Sequence, residues 1–138
     1  MVGGLMFLVD TNVWLELLLD QEKAGEARQF LQTTEARLLS ITEFTLYSIG
    51  IVLTRLKKDN VFEDFLLDTV EGSGVARVRL DTAGLNQLLA VRKKFQLDFD
   101  DAYQYVAAER YNLTLISLDS DFDNTERGRK TPAEVLQR

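Results

Sequence analysis

The sequence predicts an α/β fold: a three-layer α/β/α sandwich around a mostly parallel sheet of five strands, with residues 1–138 forming one domain. Three observations predict it. Short apolar runs of strand length alternate with longer stretches of helical period. Each clear run gives way at once to a polar or acidic residue that opens a turn or helix. No repeat, long linker or low-complexity segment divides the 138 residues, a length that buries roughly two thirds of its unfolded surface in a single core.

The elements follow in order. Residues 5–9 read as a strand ending at Asp10, and Asn12 caps or hydrogen-bonds the turn into an amphipathic helix carrying Trp14, Leu17 and Leu18. A second helix covers 23–34, a brief strand covers 38–41, and Thr42 opens a longer helix to about residue 56. Gly50 interrupts that helix. Glycine costs about 1 kcal/mol there relative to alanine, so it signals either close helix packing or a local break. Asp59 or Asn60 caps a helix to residue 70, punctuated at its end by Gly72 and Gly74. Alternating Val and Arg over 75–80 suggests an edge strand. Asp81 begins a helix to residue 95, Asp98 begins another to about 111, and 113–118 is the fourth clear strand, with Asp119 directly after it. The tail holds a polar turn, a short fifth strand around Lys130, and Pro132 placed to open a last helical turn.

Composition narrows the chemistry. The chain has no cysteine and no histidine, which excludes disulfides, thiolate nucleophiles, imidazole acid-base catalysis and Ser-His-Asp machinery. No run approaches the roughly 20 apolar residues needed to cross a bilayer, and the opening residues lack the pattern of a signal peptide, so a cytoplasmic protein without membrane attachment is expected. A formal charge of −6 argues against broad electrostatic capture of nucleic acid. Local basic clusters remain at Arg55, Lys57 and Lys58, at Arg92, Lys93 and Lys94, and at Arg127, Arg129 and Lys130. Each either lines a substrate path or forms a solvated rim.

Against that background four carboxylates stand out: Asp10, Glu43, Asp101 and Asp119, each just past an apolar run or at a helix start. In a parallel sheet the carboxyl ends of the strands border one crevice, which gathers such residues. Mg²⁺ and Mn²⁺ take hard oxygen ligands and commonly reach substrate phosphate through a few carboxylates and waters, so the chemistry indicated is metal-assisted hydrolysis of a phosphodiester. Glu43 has a second explanation, favourable interaction with the positive end of its helix beside a Thr42 cap, and the sequence leaves its direction open. Among Asp98, Asp100 and Asp101, Asp98 suits the cap, Asp100 points around the helix, and Asp101 shares a face with Tyr105. Ser117 and Asp119 project to one side if the strand continues. Asp121 is either an outer ligand or a loop carboxylate, and Asp123 is a solvent-exposed one. Crowded carboxylates raise one another's pKa values, so the cluster should be more comfortable with a cation bound.

These residues resemble the motifs of the PIN domain and, within it, the small VapC-like toxin ribonucleases of toxin-antitoxin pairs. Leu8, Val9, Asp10, Thr11, Asn12 and Val13 look like the family's first acidic motif, and Ile41, Thr42 and Glu43 followed by Gly50 resemble its second. Asp101 and Ala102, leading through Tyr105 to Ala107 and Ala108, resemble the third, and the run from Ser117 to Phe122 resembles the last, with serine where many relatives have threonine. The resemblance spans essentially the whole chain. It implies that Asp10, Glu43, Asp101 and Asp119 form the acidic metal site, with Asn12 and Ser117 positioning ligands or water and Asp121 secondary. It implies an Mg²⁺- or Mn²⁺-dependent endoribonuclease acting on single-stranded or structured RNA and leaving a 5′ phosphate and a 3′ hydroxyl. A homodimer and a cognate antitoxin that inserts a peptide at the site are implied as partners. Two other readings compete with it. A non-catalytic PIN-like interaction or RNA-binding module would retain the carboxylates without turnover. A phosphate-accepting receiver domain fits less well, because it calls for an adjacent acidic pair after the first strand and a lysine near the last. No phosphate-binding loop of an ATPase or GTPase is present.

Overall fold

Side-chain alternation decides the layers. The structure, a computed structural model, describes residues 5–136. In β1 (Phe7–Val9) Phe7 and Val9 enter one core and Leu8 the other, as the period of two along a strand requires. The strand is buried on both faces, which is why it reads as a continuous apolar run. β2 (Leu39–Thr42) sends Leu39 and Ile41 into the core that holds Phe7, and turns Ser40 and Thr42, both buried, to the opposite face. β3 (Ala76–Val78) and β4 (Thr114–Ile116) complete a sheet in the order β3-β2-β1-β4 with every pairing parallel.

Helices cover both faces. α1 (Thr11–Leu18), α2 (Ala24–Thr33), α3 (Glu43–Arg55) and α4 (Asp59–Phe65) pack Val13, Trp14, Phe30, Ile49, Leu53 and Phe65 against Phe7, Val9 and Ile116. α5 (Thr82–Phe95) and α6 (Phe99–Arg110) pack Leu88, Val91, Ala102 and Val106 against Leu8 and Leu115. A short α7 (Pro132–Leu136) returns to the first layer beside α2. Successive strands move outward from β1 to β3 and then jump back to β4 on the other side of β1, so the strand order reverses between β1 and β4. Open α/β sheets place their crevices at such a reversal.

The three-layer arrangement and the edge position of β3 match expectation. The strand count differs: there are four strands among the described residues, not five. Lys130 makes a parallel bridge to Ile116, donating to the Leu115 carbonyl at 2.8 Å and accepting from the Ser117 amide at 3.0 Å. It cannot extend. Gly128 turns the chain with a left-handed φ of 66° just before it, and Pro132, which has no N–H for a ladder, starts α7 just after it. The predicted helix over 59–70 also differs. It begins after Lys58 with no side-chain cap and changes at Leu66–Glu71 into a wider π-helical turn. No described helix is long and apolar enough to cross a membrane.

Gly50 does not break α3. It is buried, and a Cβ placed there would lie 2.9 Å from the ring of Phe62 on α4, so the residue serves close helix packing. Gly50→Val is therefore expected to destabilise the fold by about 2 kcal/mol through overpacking, seen as a lower denaturation midpoint. An unchanged midpoint would mean that α3 and α4 part without cost.

Candidate active site

The reversal in strand order brings the ends of β1 and β4 side by side. Asp10 leaves β1 directly and continues the ladder, its amide donating to the Ile116 carbonyl at 2.9 Å. It then caps α1: its Oδ1 accepts from the Thr11 amide at 2.8 Å. The residue is only 5% exposed, and its charge is met from several elements. Oδ1 also accepts from Gln104 Nε2 at 3.0 Å, and Oδ2 accepts from Ser117 Oγ at 2.7 Å, with Asn12 Nδ2 farther off at 3.4 Å. Asn12 staples α1 to the segment after β4, since its Oδ1 accepts from the Leu118 amide at 3.1 Å and its Nδ2 donates to Ser117 Oγ at 3.3 Å. Ser117 Oγ in turn accepts from the Asp119 amide at 3.0 Å.

Beyond Ser117 the chain turns sharply. Asp119 caps a 3₁₀ turn (Ser120–Asn124), its Oδ1 accepting from the Asp121 amide at 2.9 Å, while Phe122 anchors the turn in the core. Arg129 braces this turn from behind, donating to the Ser117 carbonyl at 3.1 Å and pairing with Asp123 at 3.0 and 3.1 Å. Asp101 approaches from the first turn of α6. Carboxylate oxygens of Asp101, Asp119 and Asp121 lie within 4.8 Å of one another. Asp98 occupies the cap position of α6, but its side chain makes no capping bond.

Electrostatics mark the same place. Asp101 is pushed up to about 8, first by desolvation and then by hydrogen bonding and charge repulsion from Asp119, with Asp10 and Asp121 adding to it. Burial also pushes Asp10 above the ordinary carboxylate range, although the donors from Ser117, Gln104 and Thr11 pull it back and Asp119 adds to the rise. Such a set of hard oxygens, short of positive charge and free of nitrogen and sulfur ligands, fits a divalent cation of the Mg²⁺ or Mn²⁺ kind. A cleft of about 290 Å³ opens beside it, walled by Asp10, Asn12, Phe44, Ser48, Asp101 and Gln104.

One expected member is elsewhere. Glu43 is the first residue of α3 and its carboxylate pairs with Arg77 of β3 at 3.2 Å. The α3 side chains that reach the Asp10 network are Thr42 and Thr45. Residues three apart share a helix face, whereas the residue next to the cap is rotated by about 100°. Thr42 Oγ accepts from the Thr45 amide at 2.9 Å, fixing that face inward and sending Glu43 toward the sheet edge. The sequence reading also passed over Gln104. The signal was there: a polar residue three positions after Asp101, inside the stretch Ala102–Ala108 of α6 that is buried throughout.

Comparisons with known proteins agree with this fold. Residues 7–128 match the family model of the PIN domain. No curated protein matches the chain by sequence at a significant level. Among solved structures, a toxin-antitoxin complex from Klebsiella pneumoniae is similar with a TM-score of 0.73 and 21% identity over 91% of this chain and 96% of that one. FitAcB from Neisseria gonorrhoeae gives 0.72 and 21% over 93% and 99%. VapC20 of Mycobacterium tuberculosis, described as a sarcin-ricin loop cleaving toxin, gives 0.71 and 16% over 85% and 92%. At these identities the likeness is one of fold.

The raised Asp101 pKa sets a direction for stability. Folded Asp101 holds its proton more tightly than the unfolded chain, so its contribution is full below 3.8, the ordinary aspartate value, and is lost as pH climbs toward about 8. Asp101→Asn removes that loss and is expected to stabilise the metal-free protein at pH 8 by about 1 kcal/mol while changing little at pH 4. Equal effects at the two pH values would contradict it. Because a cation must displace this proton, Mn²⁺ affinity measured by calorimetry is expected to tighten with pH below 8, by at most about tenfold per unit. A flat pH profile would remove the proton from the site.

Proposed function

Since the chain belongs to the PIN domain family, we propose that it is a divalent-metal-dependent endoribonuclease that hydrolyses phosphodiester bonds of single-stranded or structured RNA, as the toxin of a toxin-antitoxin pair. The observation that carries this reading is the meeting of Asp101, Asp119 and Asp121 within 4.8 Å beside buried Asp10. Together they form a concentrated negative charge at the strand-order reversal. It belongs with a cation and a phosphate and has no evident use in packing. The similarity in fold to a toxin-antitoxin complex supports the biological setting and a cognate antitoxin, and the reading adds a homodimer acting in the cytoplasm.

In this reading Asp10, Asp101 and Asp119 hold Mg²⁺ or Mn²⁺, and Asp121 stands at the rim. When bound, such an ion supplies positive charge that acidifies water and offsets the charge building on the phosphodiester under attack. The protein supplies orientation. Asn12 and Ser117 hold Asp10 in one rotamer and tie α1 to the turn after β4, so ligands from two elements keep their separation. Arg129 keeps the turn carrying Asp119 from moving. In this reading water attacks phosphorus and the P–O3′ bond breaks with no covalent enzyme intermediate, so the products carry a 5′ phosphate and a 3′ hydroxyl. Glu43, in this reading, keeps its ion pair with Arg77 at 3.2 Å and is not counted in the set. The cleft lined by Phe44 and Ser48 gives the strand a partly apolar floor next to the carboxylates. A charge of −6 works against general capture of a polyanion, so in this reading the cation and local basic residues provide most of the attraction for RNA.

Cleavage of a mixed RNA panel by purified protein in Mg²⁺, Mn²⁺ or EDTA tests the proposal. Cutting is expected with metal and not in EDTA. Asp10→Asn and Asp119→Asn are each expected to lower the rate by about 100-fold, the equivalent of about 3 kcal/mol in the transition state. Undiminished cutting by the Asp10→Asn protein would sink the assignment. A folded, antitoxin-free, metal-saturated protein that cuts no RNA would instead favour an interaction module.

A further inference from the structure

Gln104 is 1% exposed and lies on α6 one helical turn beyond Asp101. A buried amide is costly when its polar atoms lack partners, and here three of its four hydrogen-bonding positions are filled. Oε1 accepts from Thr42 Oγ at 2.8 Å. The two protons of Nε2 go to Asp10 Oδ1 at 3.0 Å and Thr45 Oγ at 2.8 Å. Thr45 Oγ continues to Thr11 Oγ at 2.9 Å. The direction of this chain is fixed from the Asp10 end. An ionised carboxylate only accepts, so the Gln104 atom that faces it is Nε2, Oε1 faces Thr42, and the Thr42 hydroxyl donates to Oε1 while accepting from the Thr45 amide. Thr42, Gln104 and Asp10, with Gln104 62 and 94 residues from the other two, form one polarised path from the α3 N-terminus to a buried carboxylate, and hydrogen bonds arranged in series strengthen one another.

The path has a consequence for Asp10. A carboxylate has about four lone-pair directions. Oδ1 receives two good donors, the Thr11 amide and Gln104, whereas Oδ2 has one short donor in Ser117 and a marginal one in Asn12. Oδ2 is also the oxygen joined through Ser117 to the Asp119 amide. We propose that Gln104 is a positioning residue of the site: it saturates Oδ1, locks the Asp10 carboxylate, and leaves Oδ2 as the oxygen offered to a cation shared with Asp101 and Asp119. The inference rests on the metal-dependent reading above. It gives α3 a part in the site through the hydroxyls of Thr42 and Thr45 and needs no carboxylate from that helix.

The test is Mn²⁺ binding to the full chain in the absence of RNA, followed by calorimetry. Gln104→Met keeps the length and flexibility of the side chain but cannot donate, and it is expected to weaken Mn²⁺ binding by about tenfold, the usual scale for residues that orient a ligand. Thr42→Val breaks the path one step away without touching Asp10 and is expected to cost about threefold, while Thr42→Ser, which keeps the hydroxyl, binds as the wild type does. Ile49→Val, in the core on the other side of the sheet, serves as a mildly destabilised control with unchanged affinity. Wild-type affinity in a folded Gln104→Met protein overturns the proposal. If that variant fails to fold, equal affinities for Thr42→Val and Thr42→Ser overturn it, as does a loss in Ile49→Val that matches theirs. A wild-type protein that binds no Mn²⁺ removes the metal-dependent reading and this inference with it.

Discussion

The structure depends on how one buried charge is accommodated. Asp10 sits at the end of the central apolar strand, nearly sealed from water, where an ionised carboxylate without partners would cost far more than a small domain can supply. Its donors come from α1, α6 and the segment after β4. Satisfying Asp10 therefore locks three elements together at one point. The sheet order serves the same end. Placing β4 beside β1 brings Ser117 within hydrogen-bond reach of Asp10 across a sequence separation of 107 residues.

Next to this satisfied carboxylate lies an unsatisfied group. Asp101, Asp119 and Asp121 face one another without a basic partner in the cluster, and Asp101 answers by holding its proton toward pH 8. Other acidic residues nearby are treated differently: Arg129 draws Asp123 below the usual carboxylate range and Arg77 pairs with Glu43. Asp123 and Glu43 are thus paired with arginines while the clustered Asp101, Asp119 and Asp121 are not. Stability forgone at one place and recovered elsewhere is the usual pattern of a functional site.

Much of this was legible in the sequence. Phe7, Leu8 and Val9 announced a strand buried on both faces, and the acidic residues past the strand ends had to converge once the sheet was parallel. Asp10, Asn12 and Ser117 are joined by hydrogen bonds, and Asp101, Asp119 and Asp121 gather within 4.8 Å of one another. Glu43 was not legible, because neighbouring positions in a first helical turn point in directions about 100° apart and only the Thr42 to Thr45 capping bond decides which enters. Gln104 was hidden for a related reason. Its role exists only when α6, α3 and β1 are together, so a linear reading sees a lone amide among core residues. The fifth strand is a single bridge at Lys130, bounded by the left-handed turn at Gly128 and by Pro132 at the start of α7.

The most direct measurement is anomalous diffraction from crystals of the protein soaked in Mn²⁺, which locates the ion without reference to catalysis. The expected result is a Mn²⁺ peak contacted by Asp101 and Asp119 and by Asp10 through Oδ2, with Glu43 still paired to Arg77. A peak that draws Glu43 away from Arg77 and leaves the Asp101 and Asp119 oxygens uncontacted would contradict the account, as would a fully soaked crystal with no ion at the end of β1.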